Sequence, residues 1–357
     1  PGALSHFDLA RKDCFGTARN TTSKVWYTVA GGVLSDVYYP TIDNTNVETL
    51  RYVVTDGSTF TDVQGRDTTY TVAPLAGSGG MGCTVTTTAK SGKYQISTDY
   101  ITDPARNAVL MRVSFKAQSR LRLYMRIDPT VNGNGGGGSG NGGADSALTD
   151  TSTGHPVLVS DDPNTATNAA NRDYAQPVYM ALDAPFSSDI TNGFAGSASD
   201  GLVELDASHA LTTSYADANN GNVVQTARVA GGDKNIQFTA ALGFGATQSD
   251  AVSTAESALG DGFPGASDVF KQGWQAYDAG LNRPPSTLPG ISGPRVAQLR
   301  DEYFTSANVL KAVEDKTFPG ALVAAPASPW GQAISAGDPQ NTYFGSYREV
   351  FARDLYE

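Results

Sequence analysis

The chain has 357 residues, so two folding units are expected, and its formal net charge is −11 at pH 7. This acidic balance argues against a nucleic-acid surface, since contact with phosphates needs a basic stripe. No apolar run is long enough to span a bilayer, and no basic segment followed by an apolar one opens the sequence, so neither a membrane span nor a signal peptide is predicted.

Residues 1–265 are predicted to form one β domain. Apolar residues alternate with polar ones in runs that are typical of half-buried strands, at 25–29, 33–39, 50–55, 70–73, 84–100, 109–115, 121–127, 157–159, 178–182 and 236–242. The pair Gly31-Gly32 predicts a hairpin turn between the first two runs. No helical period interrupts the strands, so we predict a mainly β fold with two packed antiparallel sheets, a large β-sandwich.

The hydrophobic period then changes to that of helices. An Ala-rich helix is predicted over 250–259, and a second carries Phe270, Trp274, Tyr277 and Leu281 on one face with Ser267 as its N-cap. We assign 266–294 to a helical linker that ends in a Pro-rich extended stretch. A third helix, over 295–313, opens a further domain at 295–357. Its apolar stripe needs more than the linker to bury it, and comprises Val296, Leu299, Tyr303, Ala307 and Leu310.

Two cysteines, Cys14 and Cys83, lie 69 positions apart. They form either one disulfide or two buried free thiols, and the sequence does not choose between these. A disulfide closing this loop would contribute roughly 4 kcal/mol on the chain-entropy argument.

Metal ligands are not indicated by the sequence. The histidines are scattered without metal-ligand spacing, at His6, His155 and His209. Carboxylate and amide oxygens at 161–162 and 43–44 suit calcium, yet no EF-hand-like loop surrounds them. We therefore interpret both pairs as solvated turns, and we expect no required cofactor and no indicated structural calcium.

The last eleven residues, 347–357, combine charge and aromatic rings. Arg353 is followed directly by Asp354, and Tyr347, Phe351 and Tyr356 lie around them. A guanidinium donates paired hydrogen bonds to neighbouring hydroxyls, a carboxylate accepts from them, and a ring covers the apolar face of a sugar. Arg-Asp neighbours are also common as plain ion pairs, so the spacing alone leaves both interpretations open.

Four further motifs share the order of a known family. They are SKVWY (23–27), SDVYYP (35–40), EDKTFPGA (314–321) and PWGQA (329–333). Together with residues 347–357, these motifs closely resemble bacterial glucoamylases and glucodextranases of glycoside hydrolase family 15, over the whole chain. One departure is visible, because the family usually has Trp at the position of Phe351.

The resemblance implies an exo-acting, inverting α-glucoside hydrolase that releases glucose from the non-reducing ends of α-glucans, secreted or periplasmic. It implies that 295–357 begin an (α/α)6 barrel, and that no catalytic residue lies in this chain because the acid and base follow Glu357. The rest of that domain would continue on this chain or on a second one. Substrate-binding roles are implied for the terminal-glucose clamp, for a ring beside the oxocarbenium ion, for the pocket wall and for one further aromatic, respectively Arg353 and Asp354, Tyr347, Phe351, and Trp330.

Alternatives stay open at this point. The sandwich can be a non-catalytic glucan-binding or structural module, or the enzyme can transfer glucose to another sugar. The loop at 38–46 is either a turn after a buried strand, which we favour slightly, or part of the wall of the sugar pocket with Asp43 as a rim contact.

Overall fold

A sandwich of two antiparallel sheets makes up most of the chain. The computed structural model describes residues 12–133, 145–162, 176–231, 234–326 and 350–351. The strands are β1 (Cys14–Thr17), β2 (Trp26–Ala30), β3 (Val33–Tyr38), β4 (Thr45–Thr55), β5 (Thr61–Val63), β6 (Thr68–Pro74), β7 (Cys83–Ala89), β8 (Tyr94–Thr102), β9 (Ala108–Ala117), β10 (Arg122–Gly133), β11 (Asp145–Asp150), β12 (Val157–Asp162), β13 (Val178–Asp183), β14 (Phe186–Phe194), β15 (Asp217–Gly221), β16 (Val223–Val229) and β17 (Asn235–Gly245). The helices are α1 (Gly201–Ser208), α2 (Gln248–Asp261), α3 (Phe263–Gly280) and α4 (Gly293–Ala312).

Both sheets are antiparallel throughout their described pairings. One runs in the order β1-β2-β3-β4-β10-β16-β14, with β5 also on β4, and the other in the order β15-β11-β12-β13-β17-β9-β8-β7-β6. The alternating residues Val109, Met111, Val113 and Phe115 of β9 point into the core between the sheets. The predicted β-sandwich is therefore confirmed.

The hairpin between β2 and β3 follows the predicted turn. Gly31 and Gly32 both have positive φ, 61° and 74°, which a two-residue turn of the type that matches strand twist requires. The turn brings Ala30 opposite Val33.

A second apolar layer lies outside the larger sheet. There α2 and α3 pack with Ala255, Phe270 and Trp274 against sheet residues that include Leu110. Close approach requires Gly243 on β17, since a Cβ there would lie 2.6 Å from the backbone nitrogen of Ala255. Among the described residues, none of the helices combines the length and apolar character needed to cross a bilayer.

The cysteines form a disulfide between the sheets. Cys14 lies on β1 in one sheet and Cys83 on β7 in the other, with their Cα atoms 6.5 Å apart. This settles the choice that the sequence left open.

Three expectations were wrong. Helix α1 interrupts the β region, because Asp200 accepts a hydrogen bond from the Leu202 amide and starts a single short polar helix that has no apolar period to detect. Helix α3 begins at Phe263 with Pro264 in its first turn, so Ser267 is buried inside the helix and is not its cap. The pairs at 43–44 and 161–162 are not solvated turns, because neighbouring strands bury Asn44 and Asp162.

The described part of α4 is only lightly covered. Val296 and Ala312 are buried, whereas Tyr303 and Leu310 remain 38% and 64% exposed. Its stripe is thus largely free of contacts from the described linker, as the sequence indicated. The start of a helical barrel at α4 stays a prediction.

Candidate functional site at the junction of sandwich and helices

The predicted sugar-binding residues lie almost entirely outside the described part of the chain. Trp330, Tyr347, Arg353 and Asp354 fall outside it, and Phe351 is described but 36% exposed. The clamp therefore stays a prediction. The described geometry centres instead on residues 313–323, which follow α4 and contain the EDKTFPGA motif, and which we call the junction segment.

Lys316 fixes the junction segment to the sandwich. Its ammonium donates hydrogen bonds to Thr17 Oγ1 at 2.6 Å, to the Ala18 carbonyl at 2.7 Å and to the Ser23 carbonyl at 2.6 Å. The same nitrogen lies 5.1 Å from the centre of the Trp26 ring, within the range of a cation–π contact. Three acceptors use every proton of an ammonium group, so the sandwich supplies a complete cradle for one charge.

The charge on Lys316 is enclosed, which has an electrostatic cost. Burial lowers the pKa of Lys316 well below its ordinary value, the positive charge of Arg19 lowers it further, and Asp315 opposes both. The three acceptors favour the charged form, because a neutral amine would fill only two of them. The cradle therefore offsets the desolvation of the ammonium group.

Asp315 links the same segment to the loop between β3 and β4. Its Oδ1 accepts hydrogen bonds from the amides of Thr317 at 2.7 Å and Phe318 at 2.9 Å, which shapes the turn of the motif. Its Oδ2 accepts from the Ile42 amide at 2.9 Å. The loop at 38–46 thus reaches the residues that follow α4, as one of the two interpretations required.

A small apolar cluster surrounds these polar contacts. Trp26, Tyr38 and Ile42 of the sandwich pack with Val313 and Val323 of the junction segment. The indole nitrogen of Trp26 also donates to the Ala312 carbonyl at 2.9 Å. That carbonyl lies in the last turn of α4, where carbonyls lack helical partners, so Trp26 caps the helix from the sandwich side.

The remaining acidic residue of the motif closes the turn. Glu314 pairs with Lys311 of α4, and its Oε1 accepts from the Gly320 amide at 2.8 Å. The pair holds the pKa of Glu314 below its ordinary value, chiefly through the hydrogen bond from Lys311. Beside it lies a cavity of about 130 Å³, bordered by Arg19, Trp274 and Pro319 among others.

This arrangement positions a segment and does not perform chemistry. Both carboxylates of the motif, Glu314 and Asp315, accept from amides of their own turn. In the ranges that the structure describes, no group of three His, Cys, Asp or Glu side chains is placed to hold a metal ion. Sequence inspection singled out both motifs but gave no role to Lys316 or Trp26, because their partners lie nearly 300 positions away: the separation between Lys316 and Thr17 is 299.

The fold and this junction define a β-sandwich domain built to hold the first helices of a following unit in a fixed orientation. Comparison with known proteins agrees with that class. The profile of the family described as "Glucodextranase, domain N" matches residues 1–279, and the chain belongs to that family. The resemblance to glucoamylases and glucodextranases that the sequence motifs predict is therefore confirmed.

Two relatives match the whole chain. A glucoamylase of Clostridium sp. (strain G0005) is 31% identical over 366 residues, which cover 100% of this chain and 46% of the relative. The crystal structure of a bacterial glucoamylase complexed with acarbose superposes with a TM-score of 0.82 at 28% identity, covering 100% of this chain and 48% of that one. The chain thus spans about half the length of the relatives it matches.

More distant structures share the fold alone. A family GH92 α-mannosidase from Bacteroides thetaiotaomicron matches 87% of this chain with a TM-score of 0.53 and 9% identity. At this identity the likeness supports the sandwich architecture and says nothing about substrate.

Proposed function

We propose that this chain is the N-terminal part of an exo-acting α-glucoside hydrolase that releases glucose from the non-reducing ends of α-glucans. The observation that carries this proposal is the match of the whole chain, at a TM-score of 0.82, to a bacterial glucoamylase complexed with acarbose. The glucoamylase of Clostridium sp., also matched over the whole chain, supports the same reaction class.

The proposed reaction inverts the anomeric centre. One carboxylic acid protonates the leaving oxygen while a carboxylate activates water on the opposite face, and the two groups lie roughly 6.5–9.5 Å apart to leave room for that water. We place both groups in the part of the enzyme that follows Glu357. Two carboxyl groups suffice for this hydrolysis, so the proposal requires no cofactor.

Residues of this chain would bind the terminal glucose. Arg353 and Asp354 hold its hydroxyls, Tyr347 lies beside the developing positive charge, and Phe351 and Trp330 line the pocket. The junction segment leads in sequence to these residues. Its fixation by Lys316 and Asp315 supports a role for the sandwich in positioning them.

Export is part of the proposal. The Cys14–Cys83 disulfide supports a secreted or periplasmic protein, because disulfides persist in oxidising compartments. The partner implied by the proposal is the remainder of the catalytic domain, on the same chain or on a second one.

The clamp is tested by substitution in the complete enzyme. Arg353→Ala should lower kcat/KM on maltooligosaccharides at least about 10²-fold, because it removes charged hydrogen bonds to the substrate worth about 3 kcal/mol. Arg283→Ala is the matched control, since Arg283 lies exposed in the linker. Turnover of a folded Arg353→Ala enzyme at the level of the control would contradict the assignment.

A further inference from the structure

One end of the sandwich contains a bulge that exposes backbone amides to buried side chains. Strand β10 pairs with β4 at Pro129↔Val47 and again at Gly133↔Thr45, so residues 130–132 lie opposite a single residue, Asn46. The Val131 amide donates to Asp145 Oδ2 at 3.2 Å, and the Asn132 amide donates to Asn46 Oδ1 at 2.9 Å. Side chains from three other segments thus converge on this bulge.

Two buried carboxylates face each other beside the bulge. Strands β11 and β12 pair at Ser146↔Asp161, and continuing that register by one residue sets Asp145 opposite Asp162. Opposed residues hold their Cβ atoms about 4.5–5.5 Å apart, and like charges in that position repel. Asp145 and Asp162 are only 0% and 6% exposed, so water does little to screen this repulsion.

The pair points into the sandwich. Ser160 lies two residues before Asp162 on the same face of β12, and its hydroxyl donates to Gln225 of the opposite sheet at 2.7 Å. The carboxylates therefore lie between the sheets, where an unpaired charge is costly.

Unpartnered oxygen atoms gather at the same end. Asp145 Oδ1, Asn44 Oδ1 and Thr130 Oγ1 have no hydrogen-bond partner, and all three residues are buried. Asn44 belongs here because its amide nitrogen donates to Asn132 Oδ1 in the bulge at 2.8 Å. Buried polar atoms are normally satisfied, so a set of bare oxygens around two opposed carboxylates calls for a positive partner.

We propose that a calcium ion binds at this end of the sandwich, held by Asp145, Asp162 and the side-chain oxygen of Asn44. Calcium takes six to eight oxygen ligands and accepts mixed carboxylate, amide and water sets, whereas magnesium demands a stricter octahedron. Thr130 supplies a further oxygen nearby.

The ion would act on the junction. Asn44 ends the loop whose Ile42 amide donates to Asp315, and the Asn44 backbone is tied to that loop by the bond from the Tyr39 amide at 3.0 Å. Holding Asn44 therefore stiffens the loop that contacts the junction segment. This is a structural role, independent of the proposed hydrolysis.

The test uses metal content and thermal unfolding of the purified protein. After dialysis against metal-free buffer containing a trace of calcium, elemental analysis should find one calcium ion per chain, and saturating calcium should raise Tm by about 5 °C over chelator. Magnesium at equal ionic strength should give a much smaller rise. No bound calcium, or equal rises with both ions, would overturn the proposal.

Asp145→Asn separates an ion site from a plain structural role. It keeps the shape of the side chain but removes one of the two repelling charges. The variant should lose the calcium-dependent rise and, in chelator, unfold at a higher temperature than the wild type. Asp99→Asn, on the outer face of the same sheet where Asp99 pairs with Arg112, should keep the full calcium response. Should Asp145→Asn fail to fold, the wild-type metal content and calcium titration decide alone.

Discussion

Replacement of Lys316 by Met should release the junction segment from the sandwich while leaving the sandwich folded. Methionine keeps the length of the side chain but removes all three hydrogen bonds to Thr17, Ala18 and Ser23. Each buried acceptor left without a donor costs about 1–3 kcal/mol, and relief of the desolvated charge returns part of the sum. We expect a net local loss of about 3 kcal/mol.

Native-state hydrogen exchange at the Ile42 amide measures this loss directly. That amide donates to Asp315, the neighbour of Lys316, so it is protected only while the junction segment is docked. A local loss of about 3 kcal/mol corresponds to roughly a 10²-fold faster exchange, since 1.4 kcal/mol is a factor of ten. Amides of β9 in the core between the sheets should exchange as in the wild type.

Lys311→Met is the matched control for this prediction. Lys311 lies five positions earlier, and its ion pair with Glu314 is partly exposed, with side chains 32% and 17% accessible. Partly exposed pairs contribute about 0–1 kcal/mol, so exchange at Ile42 should change less than about fivefold. Equal effects of the two substitutions would refute the cradle as the element that holds the segment.

Two further predictions concern stability. The double substitution of Cys14 and Cys83 by Ser should lower the free energy of unfolding by about 4 kcal/mol in urea titrations, and an equal midpoint for oxidised and reduced wild type would contradict it. Gly243→Ala should destabilise by at least about 1–3 kcal/mol in the same assay, because the new Cβ meets the backbone of Ala255. Gly260→Ala, in α2 with open space around it, should stabilise by about 0.5–1 kcal/mol, and the same sign for both changes would count against the packing argument.

The strands that sequence reasoning found are those whose apolar alternation is set by burial on one face. β9 and β10 show it clearly, because each has one face in the core between the sheets. β15 reads Asp-Ala-Asn-Asn-Gly and carries no such pattern. It is a strand only because β11 offers it a backbone ladder, at Asp145↔Gly221 and Leu148↔Asp217. Tertiary pairing overrides local propensity there.

The junction was beyond local sequence reasoning for a different reason. A lysine is expected at the surface, and nothing in the residues around Lys316 shows that its charge is enclosed. Its acceptors come from the sandwich, and two of them are backbone carbonyls, which every residue has. The motif that contains Lys316 indicated family membership, while its physical role needed the three-dimensional contacts.

The composition of the junction argues for a role in orientation as well as in attachment. Apolar contacts among Trp26, Ile42 and Val323 already join the two parts, and they tolerate sliding because dispersion has little direction. An enclosed ammonium adds desolvation cost, and an apolar side chain of equal volume would often hold the segment as well. What the cradle of Lys316 adds is direction, since three acceptors at 2.6–2.7 Å admit only one placement of its nitrogen. We infer that the sandwich sets the register of the segment that leads towards the proposed glucose clamp, so that Lys316→Met in the complete enzyme should lower kcat/KM where Lys311→Met does not.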